Sequence, residues 1–450
     1  MARKRHKQHR APELPVEILL VIFMYVHPDH VERFRWKDSV IWDDDLASPS
    51  ITPNSYASVC KWWAAVMGGI PEFWTHIIVH IDHPRHFDQL TLALESSRPE
   101  NIKTVTILHS KQSGEINEEV ERVELERMLL QLLQPENKAR IRSLAVRTRW
   151  SGSLPKTMIH PWPGLRTLRL ESERRSLDHL PSQIAPPIPS PFSLSFPLSA
   201  LGLTGPMFVS LWRCADGRKA MQHASLLSLT VCQLREEDGG REPFTFCELT
   251  KAVYTFCGVR AVNLIDIHIP VGRNAPGLTS LFTIDGERVN ALRFEAVPLR
   301  LITHFIDSLW RPGRYSDIGS FKIHHCRELS ASQRTAIQTD TAGNIKTLYA
   351  ELIGVSHPSD LIILLKRLSP NEIRIQQCAG LTDEVLSAIA AGQSTFLKRR
   401  QRLHIVDCHN YSLVRLQTLF ASKPRVSLNI EGDVTTLSWQ RQRPDWGFDD

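Results

Sequence analysis

The sequence predicts an α+β / α/β repeat fold, in which a small all-helical unit at the N-terminus precedes an irregular repeat region. Two observations support this prediction. Apolar residues follow helical spacing in two stretches between residues 14 and 66, and a short apolar template recurs from about residue 100 onwards. A recurrence of roughly 30 residues is typical of a solenoid, whose units each pack on their neighbours.

Length and composition indicate a globular protein with two or more folding units. The chain has 450 residues, of which 42% are apolar and 23% are charged. It lacks a run of roughly 18 apolar residues, so no transmembrane helix is expected. No apolar run follows the N-terminal charges before Leu14, so no secretory signal is expected. Its eight dispersed cysteines contain no Cys-x-x-Cys, which predicts reduced thiols and a location in the cytoplasm, the nucleus or both.

The net charge of +6 is concentrated in a basic tail over residues 1–11. We interpret this tail as solvated and disordered, with a nuclear import signal or a phosphate contact as the alternative. The remaining charge is nearly balanced, so nucleic acid is not an expected partner, and no membrane partner is expected either.

The first helix is predicted to begin near Leu14 and to end before Pro28. Pro15 suits the first turn of a helix, where its missing N–H costs no hydrogen bond. The apolar positions lie on one helical face; they are Leu14, Ile18, Leu19, Ile22, Phe23 and Val26. Residues 27–55 follow as a predicted surface loop.

A second helix is predicted over the apolar residues Val59, Trp62, Trp63 and Val66, ending at Gly68 and Gly69. A Pro71-x-x-Trp74 segment follows directly. The three parts occur together and in order, which makes the pattern more specific than any one of them.

The segment from about residue 12 to residue 80 resembles an F-box. The resemblance implies binding to the Skp adaptor, and through it to a cullin ligase core. It places Leu14, Pro15, Ile18, Leu19 and Ile22 at the Skp adaptor, with Val59 and Trp63 forming or bracing that surface. The alternative is that all these residues are internal core. One departure from the family pattern is the separation of 45 residues between Leu14 and Val59, about twice the usual gap, which makes 27–55 an inserted loop.

The repeated template consists of an apolar residue, two further residues, an apolar residue, one further residue and an apolar residue. Its copies begin at Ile102, Ile141, Leu165, Leu226, Val259, Val289, Ile318 and Ile345. The last five starts are separated by 33, 30, 29 and 27 residues. A helix is also predicted over residues 118–134, within an early copy.

A cysteine follows the strand-like segment in the clearest C-terminal copies, at Cys326, Cys378 and Cys408. Ser330, Thr382 and Ser412 stand four residues later, where each could cap a helix. This pattern resembles the cysteine-containing leucine-rich repeat. The cysteine is interpreted as a small buried residue that closes a turn, because sequential His324, His325 and Cys326 do not suit a metal site.

The predicted domains are the tail 1–11, the F-box 12–80 with its inserted loop 27–55, a leucine-rich-repeat-like domain 81–440 and a C-terminal tail 441–450. Six prolines in residues 181–197 mark an insertion in the repeat domain. The insertion is interpreted as a passive linker, with a polyproline recruitment segment as the alternative.

No phosphate loop, nucleophile elbow or zinc-protease helix occurs in the sequence, so no catalytic residue, cofactor or metal is predicted. The predicted function is that of a non-enzymatic substrate-recognition adaptor of an SCF-type ubiquitin ligase, with a target bound by the repeats. A ligase-independent protein-binding scaffold and an enzyme with an unrecognised site are the alternatives.

Overall fold

The structure is a computed structural model that describes residues 14–33, 57, 59–97, 102, 104–109, 117–154, 162–174, 198–213, 218, 226–240, 242–256, 259–272, 290–309, 317–338, 345–390, 401–421, 426–432 and 437–439. The chain divides into two compact units, Met1–Leu198 and Ser199–Asp450. The predicted boundary between residues 80 and 81 falls inside the first unit.

The first unit begins with helices and continues into a parallel sheet. Its helices are α1 (Val16–Arg33), α2 (Lys61–Gly68), α3 (His86–Ser96), α4 (Glu118–Leu132) and α5 (Pro135–Lys138). Short 3₁₀ turns form at Pro71–Trp74 and Ser151–Ser153. The strands, which pair in sequence order and in parallel, are β1 (His76–His80), β2 (Thr104–Leu108), β3 (Ser143–Trp150) and β4 (Thr167–Arg174).

The second unit alternates strands with helices. Its strands are β5 (Ala200–Thr204), β6 (Ser228–Cys232), β7 (Ala261–Ile265), β8 (Ala291–Glu295), β9 (Asp317–His324), β10 (Ile345–Ile353), β11 (Leu368–Gln376), β12 (Gln401–Val406), β13 (Val426–Glu431) and β14 (Leu437–Trp439). Its helices are α6 (Gly205–Arg213), α7 (Phe246–Thr255), α8 (Leu299–Leu309), α9 (Ala331–Gln338), α10 (Pro358–Arg367), α11 (Asp383–Ala390) and α12 (Leu413–Ala421), with a 3₁₀ turn at Glu236–Gly239.

The predicted fold class, a small all-helical F-box followed by an irregular leucine-rich-repeat solenoid, is wrong. In the described residues, thirteen strands run parallel to their neighbours within the two units, with helices between strands, which is an α/β arrangement. Only β14 pairs antiparallel, with β13. The segment predicted to end the helical unit instead forms β1, because Ile77, Ile78 and Val79 are all buried, as in a strand covered on both faces.

The apolar template marks the core side of the strands. In the second unit, Leu292, Phe321, Ala350 and Ile373 occupy one row across neighbouring strands, and each is at most 2% exposed. Two residues later a second row runs through Phe294, Ile323, Leu352 and Ile375. The edge contact between the Phe294 and Phe305 rings, 5.5 Å between centroids, packs α8 onto this row.

One copy of the template was placed in the wrong register. The prediction put Leu348 in the core, but that side chain is 61% exposed. Thr347 pairs with Ile318 and Ala350 pairs with Phe321, so the copy begins at Thr347. Two further copies were missed, at Trp74-Ile77-Val79 and at Leu198-Leu201-Leu203, which belong to β1 and β5.

Each of the seven strands from β6 to β12 is followed directly by a residue with left-handed backbone conformation. Six of these residues are not glycine, and their φ values lie between 48° and 55°; they are Gln233, Asp266, Ala296, His325, Gln377 and Asp407, and the seventh is Gly354. Every one donates its backbone N–H to a carbonyl at the end of the following strand, at 2.7 to 3.0 Å. The hydrogen bond offsets part of the cost of this backbone conformation and extends the ladder by one residue.

The cysteines lie one residue beyond these left-handed positions. Cys326, Cys378 and Cys408 are at most 9% exposed. Their thiols lie near backbone atoms of neighbouring strands, as in the 3.3 Å hydrogen bond that the Cys378 N–H donates to the Cys408 Sγ. The prediction of small, buried, turn-closing cysteines is confirmed, and burial raises the pKa of Cys326 to about 12.

Local capping explains where several helices begin. The Asn117 side chain accepts a hydrogen bond from the Glu119 N–H at 2.8 Å, which starts α4 close to the predicted position. The predicted reciprocal cap between Ser330 and Gln333 is confirmed, with hydrogen bonds of 3.0 and 3.3 Å. The cap predicted at Thr382 is wrong, because its hydroxyl has no hydrogen-bond partner among the described residues.

Helix α1 continues past its predicted end, through Pro28 to Arg33. Proline has no backbone N–H, so the helix lacks one backbone hydrogen bond at this position. The rest of the predicted loop, the tails 1–11 and 441–450 and the proline-rich segment 181–197 lie outside the described residues. None of the described helices combines the length and apolar character needed to cross a bilayer.

Candidate functional site

The inner side of α1 packs on α2 and the 3₁₀ turn that follows it. Leu19 and Phe23, four residues apart, are almost fully buried. The Phe23 ring meets Trp63 and Phe73 edge-on, with centroids 5.2 and 6.1 Å apart. Such aromatic pairs fix the position of α1 on its neighbours.

The outer face of α1 consists of apolar side chains that point away from this packing. Their exposed fractions run from 37% to 82%; they belong to Ile18, Val21, Ile22 and Tyr25 of α1 and to Leu14, which lies two residues before the helix begins. Their spacing of three or four residues aligns them along one side of the helix. A contiguous exposed apolar surface of this kind is typical of a protein-binding site.

Three polar contacts organise the start of α1, α2 and the turn that follows α2. The Trp62 indole N–H donates to the Leu14 carbonyl at 3.2 Å, which ties the start of α1 to α2. The Cys60 Sγ accepts from the Trp63 N–H at 3.5 Å and caps α2. The Trp74 indole N–H donates to the Met67 carbonyl at 2.9 Å in a buried contact. Val59, which precedes the Cys60 cap, is 60% exposed.

Some of the residues that the F-box resemblance assigned to the Skp adaptor are exposed, and others are buried. Leu14, Ile18 and Ile22 lie together on the outer face of α1, and Pro15 and Val59 are also exposed. Leu19 is fully buried and Trp63 is half-buried against Phe23. Sequence reasoning missed Val21 and Tyr25, which the spacing of 18, 21, 22 and 25 on one helical face could have indicated.

A second candidate region is a row of polar side chains on the face of the second unit's sheet opposite the apolar template. We call it the polar row. Strand register brings its members side by side; they are Asn263, Arg293, Lys322, Glu351, Arg374 and His404.

Ion pairs bind most of the polar row to nearby residues. The Lys322 Nζ and the His324 Nε2 lie 3.2 and 3.5 Å from the same oxygen of Glu351. Arg293 pairs with Glu295 at 2.8 Å, and His404 with Glu372 at 3.4 Å. Several of these groups are largely shielded from water, so their interactions are stronger than those of free surface pairs.

The surroundings of Glu351 and Tyr349 shift the pKa values of these two side chains in opposite directions. The nearby His324 ring, and then the charge of Lys322, lower the pKa of Glu351 to about 2 against the opposing effect of burial. Burial and the negative charge of Glu351 raise the pKa of Tyr349 to about 12. The carboxylate therefore stays charged, and the phenol protonated, across the physiological range.

The contribution of Glu351 to the free energy of unfolding is expected to depend on pH. Because its pKa is lowered on folding, this contribution is present above about pH 4.5 and is lost as the pH falls towards about 2. Glu351→Gln is expected to lower the free energy of unfolding at neutral pH by about 1–3 kcal/mol. Urea unfolding of both proteins at a series of pH values measures the difference.

The matched control is Glu372→Gln, which removes a more exposed carboxylate that pairs with His404 on the same face. Its effect is expected to stay below about 1 kcal/mol. A difference between parent and Glu351→Gln that does not shrink in acid would contradict the assigned role of Glu351.

Two buried acids in the first unit are held in structural pairs. Burial alone would raise the pKa of Glu121, but hydrogen bonds from His109, Ser153 and the Arg149 N–H, the last at 2.7 Å, bring it below its usual value. Burial raises the pKa of Glu171 to about 7, opposed mainly by its partner Arg169. Both carboxyls are almost completely enclosed, so neither is placed to reach a substrate.

No protein-family model matches the chain, and no curated protein matches it. Within the described ranges no three His, Cys, Asp or Glu side chains converge as metal ligands would. The features that bear on function are the outer face of α1, the polar row and the F-box resemblance of the N-terminal segment.

Proposed function

We propose that the chain is a non-enzymatic substrate-recognition adaptor of an SCF-type ubiquitin ligase. It binds the Skp adaptor through its N-terminal helices and presents a target protein held by its second unit. Catalysis then comes from proximity, because the adaptor places a target lysine near a ubiquitin-charged enzyme and does no chemistry itself. Its place of action is the cytoplasm, the nucleus or both.

The outer face of α1 is the observation that carries this proposal. Its apolar side chains are aligned along a helix whose opposite side is already packed, so folding of the described residues leaves them uncovered. A partner that covered them would gain roughly 25 cal/mol for each Å² of apolar surface removed from water. The F-box resemblance names the Skp adaptor as that partner. Of the residues that the resemblance assigns to this surface, the exposed ones are Leu14, Pro15, Ile18, Ile22 and Val59.

Leu19 and Trp63 support the surface from behind in this proposal. Leu19 anchors α1 in the core and Trp63 braces Phe23, so neither has to touch the Skp adaptor to matter for its binding. Their replacement would weaken binding by loosening α1. Only exposed residues therefore give a clean test of contact.

The test is a pull-down of the purified Skp adaptor by the full chain. The double variant Ile18→Ala, Ile22→Ala is expected to weaken retention by about tenfold or more, since central apolar contacts dominate binding energy. The matched control is Val120→Ala, Val123→Ala on α4, whose side chains are 56% and 51% exposed. It is expected to bind like the parent.

Circular dichroism establishes that all three proteins are folded. A folded parent that does not retain the Skp adaptor would overturn the proposal and favour a ligase-independent protein-binding scaffold. Equal losses in both double variants would show that the outer face of α1 is not the contact surface.

A further inference from the structure

Arg374 stands apart from the other charged members of the polar row. Its neighbours across the sheet are Glu351 on β10 and His404 on β12. Glu351 is engaged by Lys322 and His324, whereas His404 is engaged by Glu372. The carboxylates nearest to Arg374 in the sheet are thus paired with other side chains.

Arg374 forms no ion pair and no hydrogen bond within the part of the chain that the structure describes, and its Nε is shielded from solvent. Its positive charge nevertheless acts on the neighbouring Tyr349, because it opposes the rise in the pKa of that phenol. A guanidinium carries five N–H donors in a fixed planar fork. The Arg374 side chain is only half-buried and its two Nη atoms are not enclosed, so they can donate to an acceptor from outside the chain.

We propose that Arg374 is the centre of a binding site for one oxyanion, a carboxylate or phosphate group. Either group presents two oxygens at the spacing of the guanidinium fork, which allows a paired hydrogen bond. The nearby carboxylates each face another cation, Glu295 with Arg293, Glu351 with Lys322 and Glu372 with Arg402, so the Arg374 charge is left without a counter-charge. The site therefore attracts an anion and repels a cation.

The oxyanion site stands on the geometry of Arg374 alone. Its biological role, to receive an acidic or phosphorylated side chain of a target, rests on the proposed function. The site lies on the polar row and is made by β10, β11 and β12, far in sequence from the outer face of α1. Anion binding and Skp adaptor binding can therefore fail independently.

The experiment follows the melting temperature of the full chain as inorganic phosphate replaces chloride at constant ionic strength. Phosphate is expected to raise the melting temperature of the parent in a saturable way. Arg374→Gln is expected to weaken the phosphate affinity by about tenfold or more, since a charge-assisted bidentate contact is lost. The same titration with acetate distinguishes a phosphate site from a carboxylate site.

The matched control is Arg402→Gln on the neighbouring strand, whose side chain is 72% exposed and lies 4.0 Å from Glu372. It should change the phosphate affinity by less than about twofold. The proposal is overturned if phosphate has no effect on the parent, or if both arginine variants lose affinity equally. Saturation by either anion, lost only in Arg374→Gln, supports it.

Discussion

Asp360→Ala is expected to lower the free energy of unfolding by about 3–5 kcal/mol, because it removes a buried carboxylate that accepts from Arg334 and leaves the buried Leu329 N–H without an acceptor. The Asp360 side chain is fully buried at the start of α10. It accepts hydrogen bonds from the Arg334 Nε at 2.7 Å and from the Leu329 N–H at 3.1 Å. Its loss also removes the hydrogen bond that links Arg334 of α9 to α10. Urea unfolding followed by circular dichroism measures the change.

The matched control for this prediction is Glu328→Gln. Glu328 pairs with the same arginine, Arg334, at 3.4 Å, but its side chain is 47% exposed. Its replacement is expected to cost less than about 1 kcal/mol. Similar losses in the two variants would show that burial does not set the strength of the Asp360 contact.

Trp74→Ala is expected to lower the free energy of unfolding by about 3–5 kcal/mol, through a cavity and a lost buried hydrogen bond. The indole is 1% exposed and donates to the Met67 carbonyl at 2.9 Å. It joins the end of α2 to the start of β1. The same urea unfolding experiment measures the loss.

Trp74→Phe separates the two causes of this loss. The phenyl ring fills much of the space but cannot donate to Met67, so we expect a smaller loss than in Trp74→Ala. Binding of the Skp adaptor by folded Trp74→Phe should persist, since Trp74 lies outside the exposed outer face of α1. If the free energy of unfolding of Trp74→Ala equalled that of the parent, the role given to this side chain would be contradicted.

Trp74 also explains why the predicted fold class was wrong. In the F-box resemblance it ends a helical motif, whereas in the structure it is the first template residue of β1, followed by the buried Ile77 and Val79. A single tryptophan after a proline fits both patterns. Only the pairing of β1 with β2 distinguishes them, and that pairing joins residues 28 positions apart.

Strands were predictable where the template was fully apolar. The copy in β10 was misplaced because a buried threonine, Thr347, replaces an apolar residue while Leu348 faces solvent. The copy in β5 went unnoticed because Leu198 directly follows the proline-rich segment. Burial of Thr347 depends on neighbouring strands, which local composition does not describe.

The candidate sites were predictable to different degrees. Helical spacing indicated Ile18 and Ile22, but α1 is apolar on both sides, so spacing alone could not tell that Leu19 faces inward and Ile18 outward. The polar row was not predicted. Its members are brought together by the register of six strands whose connections differ in length, and no local pattern contains that information.

The left-handed residues at the ends of β6 to β12 bear on how this chain tolerates changes of length. They follow one another at intervals of 33, 30, 29, 29, 23 and 30 residues, yet each makes the same hydrogen bond to the next strand. Alignment of the strands is therefore restored at every turn, whatever the length of the preceding connection. Segments added to or removed from a connection would leave neighbouring strands in place, so the connections can diversify while the sheet keeps its arrangement of side chains.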